Sequence, residues 1–362
     1  MKNFKWLTVT IALTSLFLLI VVSVNFYIDT YGVRLSLFSL NKKTEQIKCM
    51  EDINQHIFNP EFVFRNPYRF DSFLFGSSRI AVIDPGKIGA GKFYNMSYSQ
   101  GLPAEHLLMV KAFLQKGIKV KSVVVGLDEF SFTVSPQAHK NELLRIMHPY
   151  ITGNNLPNIF FTYYFRTPKL FELANGRKLL FNDGREEKFI LDEKGLNLFW
   201  IKKEKQLKLL GEPLFTNDTI KSSPNIFNAK LVDEAFTQIE ELILLARKNN
   251  FSLIFFFNPL NNKLYTEYAN SLFPVKLKLA LLTDFYDFSG LNSITLNNFN
   301  YYEESHYRYL VGDMIVKRIF GYGNINVPED FGVLVTKENV KEHIEKQKLE
   351  LNKYLVNQGR KS

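Results

Sequence analysis

Polar side chains that are able to do acyl chemistry directly follow short apolar runs in this sequence. Residues 76–79 (GSSR) come after one such run, and residues 95–101 and 126–129 follow two others. Near the C-terminus, Glu303 and His306 are three residues apart. A serine hydroxyl needs a base to take its proton, and a neutral imidazole is the usual base. The sequence therefore predicts a serine nucleophile that is served by a histidine and a carboxylate.

Glu303 and His306 supply both of these partners from one short segment. A carboxylate three residues before a histidine pairs with it on one turn, where it fixes the imidazole tautomer and stabilises the imidazolium. A serine just beyond a strand also has backbone N–H groups pointing towards it, and these stabilise an oxyanion. Two plainer interpretations stay open from the residues alone. In the first, Ser77 and Ser78 serve only to cap a helix. In the second, Glu303 and His306 are only an ion pair on the protein surface.

The elements that must position these residues alternate between strand and helix. Apolar runs predict strands, and apolar spacing of three and four residues predicts helices. This alternation indicates a parallel three-layer α/β sheet, in which sites form at the carboxyl ends of the strands. The predicted strands are 72–75, 92–95, 120–127, 251–257 and 284–288, and the predicted helices are 103–116, 230–248 and 272–282.

The chain divides by composition into four parts. The prediction is a membrane anchor at 1–30, a connector at 31–70, an α/β domain at 71–325 and an amphipathic helical tail at 326–362. Residues 135–227 are rich in aromatics, Asn and Lys and lack clean periodicity, so they are predicted to be an insertion or cap on the α/β domain.

An uncharged apolar stretch at residues 6–27 is about as long as a bilayer-spanning helix. Trp6 and Tyr27 flank it as interfacial aromatics do, and Lys2 and Lys5 precede it. The stretch is longer than the apolar part of a cleaved signal and lacks a good cleavage site, which favours a retained anchor. The lysines predict a cytoplasmic N-terminus, with the rest of this single-pass chain outside the cytoplasmic membrane.

Composition argues against several other classes of protein. The 362 residues carry a net charge of +9, but the lysines are scattered and no nucleic-acid-binding pattern accompanies them. Cys49 is the single cysteine, which excludes an internal disulfide and any CxxC metal site. The histidines outside the Glu303–His306 segment lack metal-ligand spacing. They are His56, His106, His139, His148 and His343.

In order and spacing, four short blocks resemble those of the SGNH/GDSL hydrolase superfamily. That family has a G-x-S block, an Asn–Gly block, a G-x-N block and a terminal D-x-x-H block. This chain has GSSR, YNMSYSQG, VVVGLDEFSF and YYEESHYR in the same order, over about residues 70–320 without the 135–227 insertion. With its N-terminal anchor, it resembles the membrane-anchored SGNH-like proteins of polysaccharide O-acylation, which include teichoic-acid D-alanylation and alginate-acetylation proteins.

The resemblance implies a flavodoxin-like sheet of the SGNH type and a role for each matching residue. Ser78 matches the nucleophile, His306 the general base and Glu303 the carboxylate. Backbone N–H groups at Ser78 and near Gln100 are implied to line the oxyanion hole. The other positions implied for the oxyanion or binding region are Gly76, Asn95, Gly101 and Asp128, and those implied for substrate binding are Arg79, Tyr302 and Tyr307.

The implied activity is a serine-dependent O-acyltransferase or esterase that works without a cofactor or metal. Its substrate would be the O-acyl, acetyl-type groups of a cell-surface polysaccharide or another hydroxyl-bearing glycan, and an acyl-serine would be the intermediate. The implied partner is a multi-pass membrane acyltransferase of the MBOAT type. No nucleic acid is implied.

Three positions depart from the family pattern. Asp128 stands where the family has an asparagine that donates to the oxyanion, and an ionised carboxylate only accepts hydrogen bonds. Gly101 lies one place late, and Glu303 replaces an aspartate. Asp128 therefore supports two hypotheses: it caps the following segment or binds Arg79, or the chain is a catalytically silent glycan-binding or assembly subunit. A plain lipase or esterase is a third.

Overall fold

A computed structural model describes residues 2–38, 46–49, 53–138, 142–169, 172–174, 189–216 and 227–359. The chain divides into two compact units. Unit 1 is Met1–Arg65 with Lys140–Ile190, and unit 2 is Asn66–His139 with Leu191–Ser362. The predicted 135–227 insertion is therefore shared between the two units.

Unit 2 is built on a six-stranded sheet with the order β3-β2-β4-β6-β7-β8. Its first five strands pair in parallel, and β8 is antiparallel to β7. This confirms the predicted α/β class with a mainly parallel sheet. The strands are β1 (Gln46–Cys49), β2 (Ser72–Gly76), β3 (Phe93–Ser97), β4 (Ser122–Leu127), β5 (Phe189–Asp192), β6 (Ser252–Phe257), β7 (Phe285–Asp287) and β8 (Val333–Val335), of which β1 and β5 lie outside this sheet.

The order of the parallel strands creates a switch point between β2 and β4. The chain runs from β2 outward to β3 and then returns to the other side of β2 to form β4. β2 is buried along its whole length, as central strands that are covered on both faces are. Ligand sites in doubly wound sheets lie outside the carboxyl ends of the strands at such a switch point. The segments 76–79 and 126–129 both begin there.

The helices of the chain follow the apolar periodicity, with shifted ends. Two predicted helices are confirmed, as α4 (Pro103–Gln115) and α8 (Ala229–Asn249). The third, α9 (Asn262–Ala280), begins ten residues before its prediction, because Asn261 caps it by accepting a hydrogen bond from Lys263 N. The helices are α1 (Lys2–Ile28), α2 (Val33–Phe38), α3 (Gln55–Arg65), α4 (Pro103–Gln115), α5 (Pro149–Thr152), α6 (Leu156–Tyr164), α7 (Ile201–Leu210), α8 (Ala229–Asn249), α9 (Asn262–Ala280), α10 (Tyr309–Phe320) and α11 (Val340–Asn357).

Unit 1 contains the predicted N-terminal apolar helix. Its segment Phe4–Ile28 has a mean hydropathy of 2.5, and its most apolar window is entirely unburied. The helix is thus long and apolar enough to cross a membrane. The rest of unit 1 packs around a small apolar core that includes Val33, Ile57, Ile159 and Tyr163.

The C-terminal tail forms more than the amphipathic helix that its spacing predicts. β8 precedes α11 and extends the sheet, and α11 packs against α9. Gln347 of α11 is buried and accepts a hydrogen bond from the buried Lys276 of α9. The tail is therefore part of unit 2, because it covers a charge that would otherwise be buried without enough partners.

Candidate active site

The segment after β2 gives its two serines different positions. Ser77 is buried and caps the following 3-10 turn, Ser78–Val82, because its Oγ accepts a hydrogen bond from Arg79 N at 3.2 Å. Ser78 is the first residue of that turn and is half-buried. Gly76 is required before them, since a Cβ there would lie 3.0 Å from Gly126 O and 3.1 Å from Ile80. The cap role falls to Ser77, which leaves the Ser78 hydroxyl for chemistry.

Ser78, His306 and Glu303 form a hydrogen-bonded chain although Ser78 is more than 220 residues away in sequence. The Ser78 Oγ lies 2.8 Å from His306 Nε2. The opposite ring nitrogen, Nδ1, is hydrogen-bonded to Glu303 Oε1. A carboxylate only accepts, so Nδ1 carries the proton and Nε2 is left to accept from the serine hydroxyl. The structure thus brings together the three residues that the sequence assigned to catalysis.

The electrostatics of this pair favour an ionised Glu303. Burial raises the pKa of its carboxyl, but the hydrogen bond from His306 and the attraction of that ring when it is protonated outweigh burial and hold the pKa below its ordinary value. The second carboxylate oxygen, Oε2, accepts from Ser305 N at 3.1 Å. Glu303 is therefore fixed at both oxygens and suited to orient the imidazole.

A tight loop, residues 301–308, presents Glu303 and His306. Tyr301 and Tyr307 form an antiparallel bridge across its base, and Tyr302 N donates to His306 O at 2.8 Å. Arg308 N donates to Asn300 O at 2.9 Å. These backbone bonds close the loop on itself before α10 begins, so the histidine side chain is held by a rigid turn.

Arg79 ties this loop to the ends of β2 and β4. Its buried guanidinium binds Asp128 at 2.6 Å and Glu129 at 2.6 and 2.9 Å. It also donates to Ser305, to the carbonyl oxygen at 3.0 Å and to Oγ at 3.3 Å. Burial lowers the pKa of Arg79, but the charges of Glu129 and Asp128 outweigh burial and hold it well above its ordinary value. Arg79 therefore links the nucleophile turn to the residue before His306.

Asp128 is one of two carboxylates that share this guanidinium. Burial raises the pKa of the Asp128 carboxyl; Arg79 opposes this, and the like charge of Glu129 adds to it. The net shift of the Asp128 pKa is upward because of burial and because Asp128 shares one cation with a second anion and so gains less from Arg79 than it would from an unshared guanidinium. Asp128 is also the cap residue of the 3-10 turn Glu129–Phe132, and its N–H donates to Ser131 Oγ at 3.1 Å. The structure therefore places Asp128 at the cap position and in contact with Arg79, the two roles that the sequence offered for it.

Asn258 completes the polar network behind Asp128. Its side-chain amide donates to Asp128 Oδ1 at 3.1 Å and accepts from Tyr307 Oη at 3.0 Å. Asn258 directly follows β6, so it obeys the strand-end rule that picked out the other three segments. The sequence analysis missed it, although a polar residue after the apolar run of β6 was a usable signal.

Asn95 and Gly101 hold the Ser78 turn in place. Asn95 is buried, and its amide donates to the carbonyl oxygens of Ile80 at 2.7 Å and Ile83 at 3.0 Å, which close the turn. A Cβ on Gly101 would lie 2.6 Å from Gly76 O, so this backbone lies against the end of β2. Gln100 has a left-handed φ of 47°. The Asn–Gly block is thus next to the nucleophile turn, with the Asn95 side chain committed to the backbone.

Three residues that the resemblance assigned to substrate binding are buried. The exposed fractions of Arg79, Tyr302 and Tyr307 are 3%, 1% and 0%. Tyr302 Oη donates to Glu204 at 2.8 Å. These side chains support the loop from behind rather than offering a surface next to the Ser78 hydroxyl.

Trp200 and Glu204 are further site residues that the sequence analysis missed. The Trp200 ring stacks parallel to Tyr302 with centroids 5.2 Å apart and lies 4.9 Å from the His306 imidazole. Glu204 of α7 binds Arg308 at 2.5 and 3.0 Å. Both residues lie in the predicted 135–227 insertion. The one usable signal there was Trp200 itself, because it is the only tryptophan of the sequence besides Trp6.

Within the described ranges, no group of three or more His, Cys, Asp or Glu side chains is placed to hold a metal ion. His139, one of the histidines considered from the sequence, lies outside those ranges. No model of a known protein family matches the chain, and no curated protein matches it significantly.

Proposed function

We propose that this chain is a membrane-anchored serine acyltransferase or esterase of the SGNH type, acting through an acyl-Ser78 intermediate. The observation that carries the proposal is the hydrogen-bonded chain from Ser78 Oγ to His306 Nε2 at 2.8 Å and on to Glu303. Its position at the switch point of a parallel sheet supports the same conclusion.

In the first half-reaction, the Ser78 oxygen attacks the acyl carbon of an ester while its proton passes to His306 Nε2. The bond between the acyl carbon and the leaving alcohol then breaks, and His306 returns the proton to that alcohol. In the second half-reaction, a hydroxyl of the acceptor, or water, gives its proton to His306 and attacks the acyl carbon. Ser78 is released with its proton. Glu303 stays ionised throughout and stabilises the imidazolium.

The charge that develops on the acyl oxygen needs donors. The backbone N–H of Ser78 is the first of the 3-10 turn and has no partner within that turn. We assign it to the oxyanion, together with backbone N–H groups of the 100–101 segment, which Gly101 brings against the end of β2. We leave Asp128 out of this hole, because an ionised carboxylate has no hydrogen to donate and its Oδ1 already accepts from Arg79 and Asn258.

The proposed substrate rests on the family resemblance, and the proposed location rests on α1. The substrate class is the O-acyl, acetyl-type groups of a cell-surface polysaccharide, with a glycan hydroxyl as acceptor and a multi-pass acyltransferase of the MBOAT type as donor partner. The apolar helix supports a single-pass chain in the cytoplasmic membrane, with an inside N-terminus and the catalytic unit outside.

A fluorophosphonate probe tests the nucleophile on the full chain in detergent or membranes. Wild type and Ser77→Ala are expected to label, whereas Ser78→Ala is expected to lose all labelling. The adjacent serine is a matched control, because it has the same chemistry and lies one residue away. Labelling of Ser78→Ala equal to that of wild type would show that Ser78 is not the nucleophile.

Absence of labelling in a folded wild type would favour the other hypothesis, a catalytically silent glycan-binding or assembly subunit. If the wild type does label, product analysis with an acetyl ester separates ester hydrolysis from acyl transfer. Free acetate alone, with or without a glycan acceptor, indicates an esterase, whereas acetylated glycan indicates a transferase.

A further inference from the structure

We propose that α6 is a second membrane contact, an interfacial helix that lies in the bilayer surface beside the end of α1. This inference concerns unit 1 alone; it rests on the proposed membrane anchoring by α1 and is independent of the proposed acyl chemistry. Its occupant is the lipid bilayer itself, because the exposed apolar side of α6 continues the apolar surface of a helix that is long enough to span one.

α6 is joined to α1 where α1 ends. The Asn25 side chain is buried and donates to the carbonyl oxygens of Tyr164 at 2.9 Å and Arg166 at 2.6 Å, at the C-terminal end of α6. The Phe26 ring packs on Tyr164 at 5.1 Å and on Phe160 at 6.1 Å. Both rings and the amide therefore fix α6 against the last turn of α1.

The two sides of α6 differ in burial. Ile159 and Tyr163 face the core of unit 1 and are 1% and 2% exposed. On the other side, Phe161 is 56% exposed and Phe165 is 45% exposed. The Phe161 and Phe165 rings contact each other, with centroids 4.8 Å apart. A pair of large aromatic rings that faces outward from a short helix is costly in water and marks an interaction surface.

The depth of α6 follows from the length of α1. At 1.5 Å per residue, the 25 residues Phe4–Ile28 extend about 37 Å, which exceeds a hydrocarbon core of about 30 Å. With Trp6 at one interface, the turn that carries Asn25 and Phe26 reaches the other interface. α6 packs on that turn, so its exposed rings lie at the level where amphipathic helices bury their apolar side.

The rings form a continuous path from α1 to the exposed side of α6. The Phe26 ring contacts the Phe160 ring. The centroid of the Phe160 ring in turn lies 6.3 Å from that of Phe161 and 6.5 Å from that of Phe165. Phe, like Trp and Leu, is typical of the apolar face of helices that lie in a membrane interface. The path therefore extends the lipid-facing surface of α1 sideways along the membrane plane.

Spin labels test the proposal on the full chain in vesicles of phosphatidylethanolamine and phosphatidylglycerol. Cys49 is the single cysteine, so a Cys49→Ala background takes one label at a time, at Phe161→Cys or Phe165→Cys. Leu209→Cys, at a position that is 87% exposed in unit 2, is the aqueous control, and Leu13→Cys within α1 is the buried-in-lipid control. The measurement is relaxation by oxygen, which concentrates in lipid, against a water-soluble nickel complex.

We expect the ratio of oxygen to nickel accessibility at 161 and 165 to lie several-fold above that at 209 and below that at 13. A ratio at 161 and 165 equal to that at 209, while 13 stays in lipid, would overturn the proposal. Protection from both reagents would also overturn it, since the surface would then be covered by a second copy of the chain.

A second variant guards against an effect of the label itself. A label at Leu156→Cys, on the exposed first turn of α6, is compared with and without Phe161→Ser and Phe165→Ser. The double serine variant is expected to lower the accessibility ratio at 156, because α6 loses its apolar contact with lipid. An unchanged ratio would show that these two rings do not hold α6 at the membrane.

Discussion

Two histidine–carboxylate pairs lie near the carboxyl ends of strands in the same sheet, and their surroundings differ. His306 contacts Glu303 on one side and the Ser78 hydroxyl on the other, and both side chains of the pair are partly exposed, 19% and 29%. His343 contacts Asp287 at 2.8 Å, but Asp287 is fully buried and also binds Lys276 at 2.7 Å. The first pair has a serine hydroxyl as its further partner, and the second has a buried cation.

The buried pair is closed by its own partners. Lys276 donates to Asp287, to Ser289 Oγ and to Gln347 Oε1, so the three hydrogens of its ammonium are all used. Burial lowers the pKa of Lys276, whereas for Asp287 the charge of Lys276 outweighs burial and lowers the carboxyl pKa strongly. The same residue types therefore hold a buried cation in one place and contact a serine hydroxyl in the other.

The largest expected effect separates the two histidines by activity. His306→Ala is expected to lower ester hydrolysis or acyl transfer by about 10⁴-fold or more, because Ser78 loses its base. His343→Ala is expected to keep activity within about threefold of wild type and to lower the free energy of unfolding by about 1.5–3 kcal/mol, the contribution of a hydrogen bond to a charged group. A steady-state assay and urea unfolding on both variants check this. Equal losses of activity would remove the distinction between the pairs.

The carboxylate of the buried pair, Asp287, is expected to affect stability rather than activity. Asp287→Asn leaves a buried Lys276 without its counter-charge, so it is expected to lower the free energy of unfolding by about 3–5 kcal/mol. Asp233→Asn is a matched control, because Asp233 pairs at 2.8 Å with Lys278, a second lysine of α9, but in an exposed pair. Its loss is expected to cost less than about 1 kcal/mol. Similar costs for the two variants would contradict the buried role of Asp287.

The cost of Asp287→Asn is expected to depend on pH in one direction. The folded-state pKa of Asp287 is lowered below its unfolded value of about 3.9, so its contribution is fully present above that pH. As the pH falls below about 4, the unfolded state takes up a proton that the folded state does not, and the contribution is lost. The difference in unfolding free energy between wild type and Asp287→Asn should therefore shrink in acid. A difference that stays constant down to pH about 2 would argue against this ionised carboxylate.

Glu303→Gln is expected to lower activity by about 10²-fold or more while changing stability little. The amide no longer stabilises the imidazolium and favours the wrong tautomer. Glu303 is partly exposed, so its replacement leaves no buried charge unpaired. Activity assays with thermal unfolding as the control check this, and a large loss of stability without a loss of activity would assign Glu303 to the fold instead.

Asp128→Asn is the smallest change that the comparison predicts. Arg79 keeps Glu129 as its counter-charge, and the amide oxygen still accepts a hydrogen bond, so the free energy of unfolding is expected to change by less than about 1 kcal/mol. Arg79→Met, in contrast, leaves two buried carboxylates together and is expected to cost about 3–5 kcal/mol. Urea unfolding of both variants tests whether Arg79 is the centre of the cluster. A cost for Asp128→Asn as large as that for Arg79→Met would place Asp128 there instead.

Much of the site followed from rules that act along the chain. The apolar runs predicted β2 and β4, and the strand-end rule picked out the segments 76–79 and 126–129. Within those segments, the family resemblance singled out Ser78 and Asp128. The spacing of Glu303 and His306 predicted their direct pairing. Asn258 obeys the same rule, since it directly follows β6, so its place in the site is predictable from the end of that apolar run.

The sequence by itself determined the local features of this protein, namely the apolar helix α1, the alternation of strands and helices, and the pairing of Glu303 with His306. These depend on periodicity and on neighbours a few residues apart. The tertiary structure alone decided that Ser77 is the cap and Ser78 the hydroxyl that meets His306, that Arg79 binds Asp128, Glu129 and Ser305, and that Trp200 stacks beside the site. Apart from the Ser77 cap, which reaches only two residues along the chain, those contacts join segments separated by about 50 to more than 200 residues. Which of them meet depends on strand order, which no local pattern encodes.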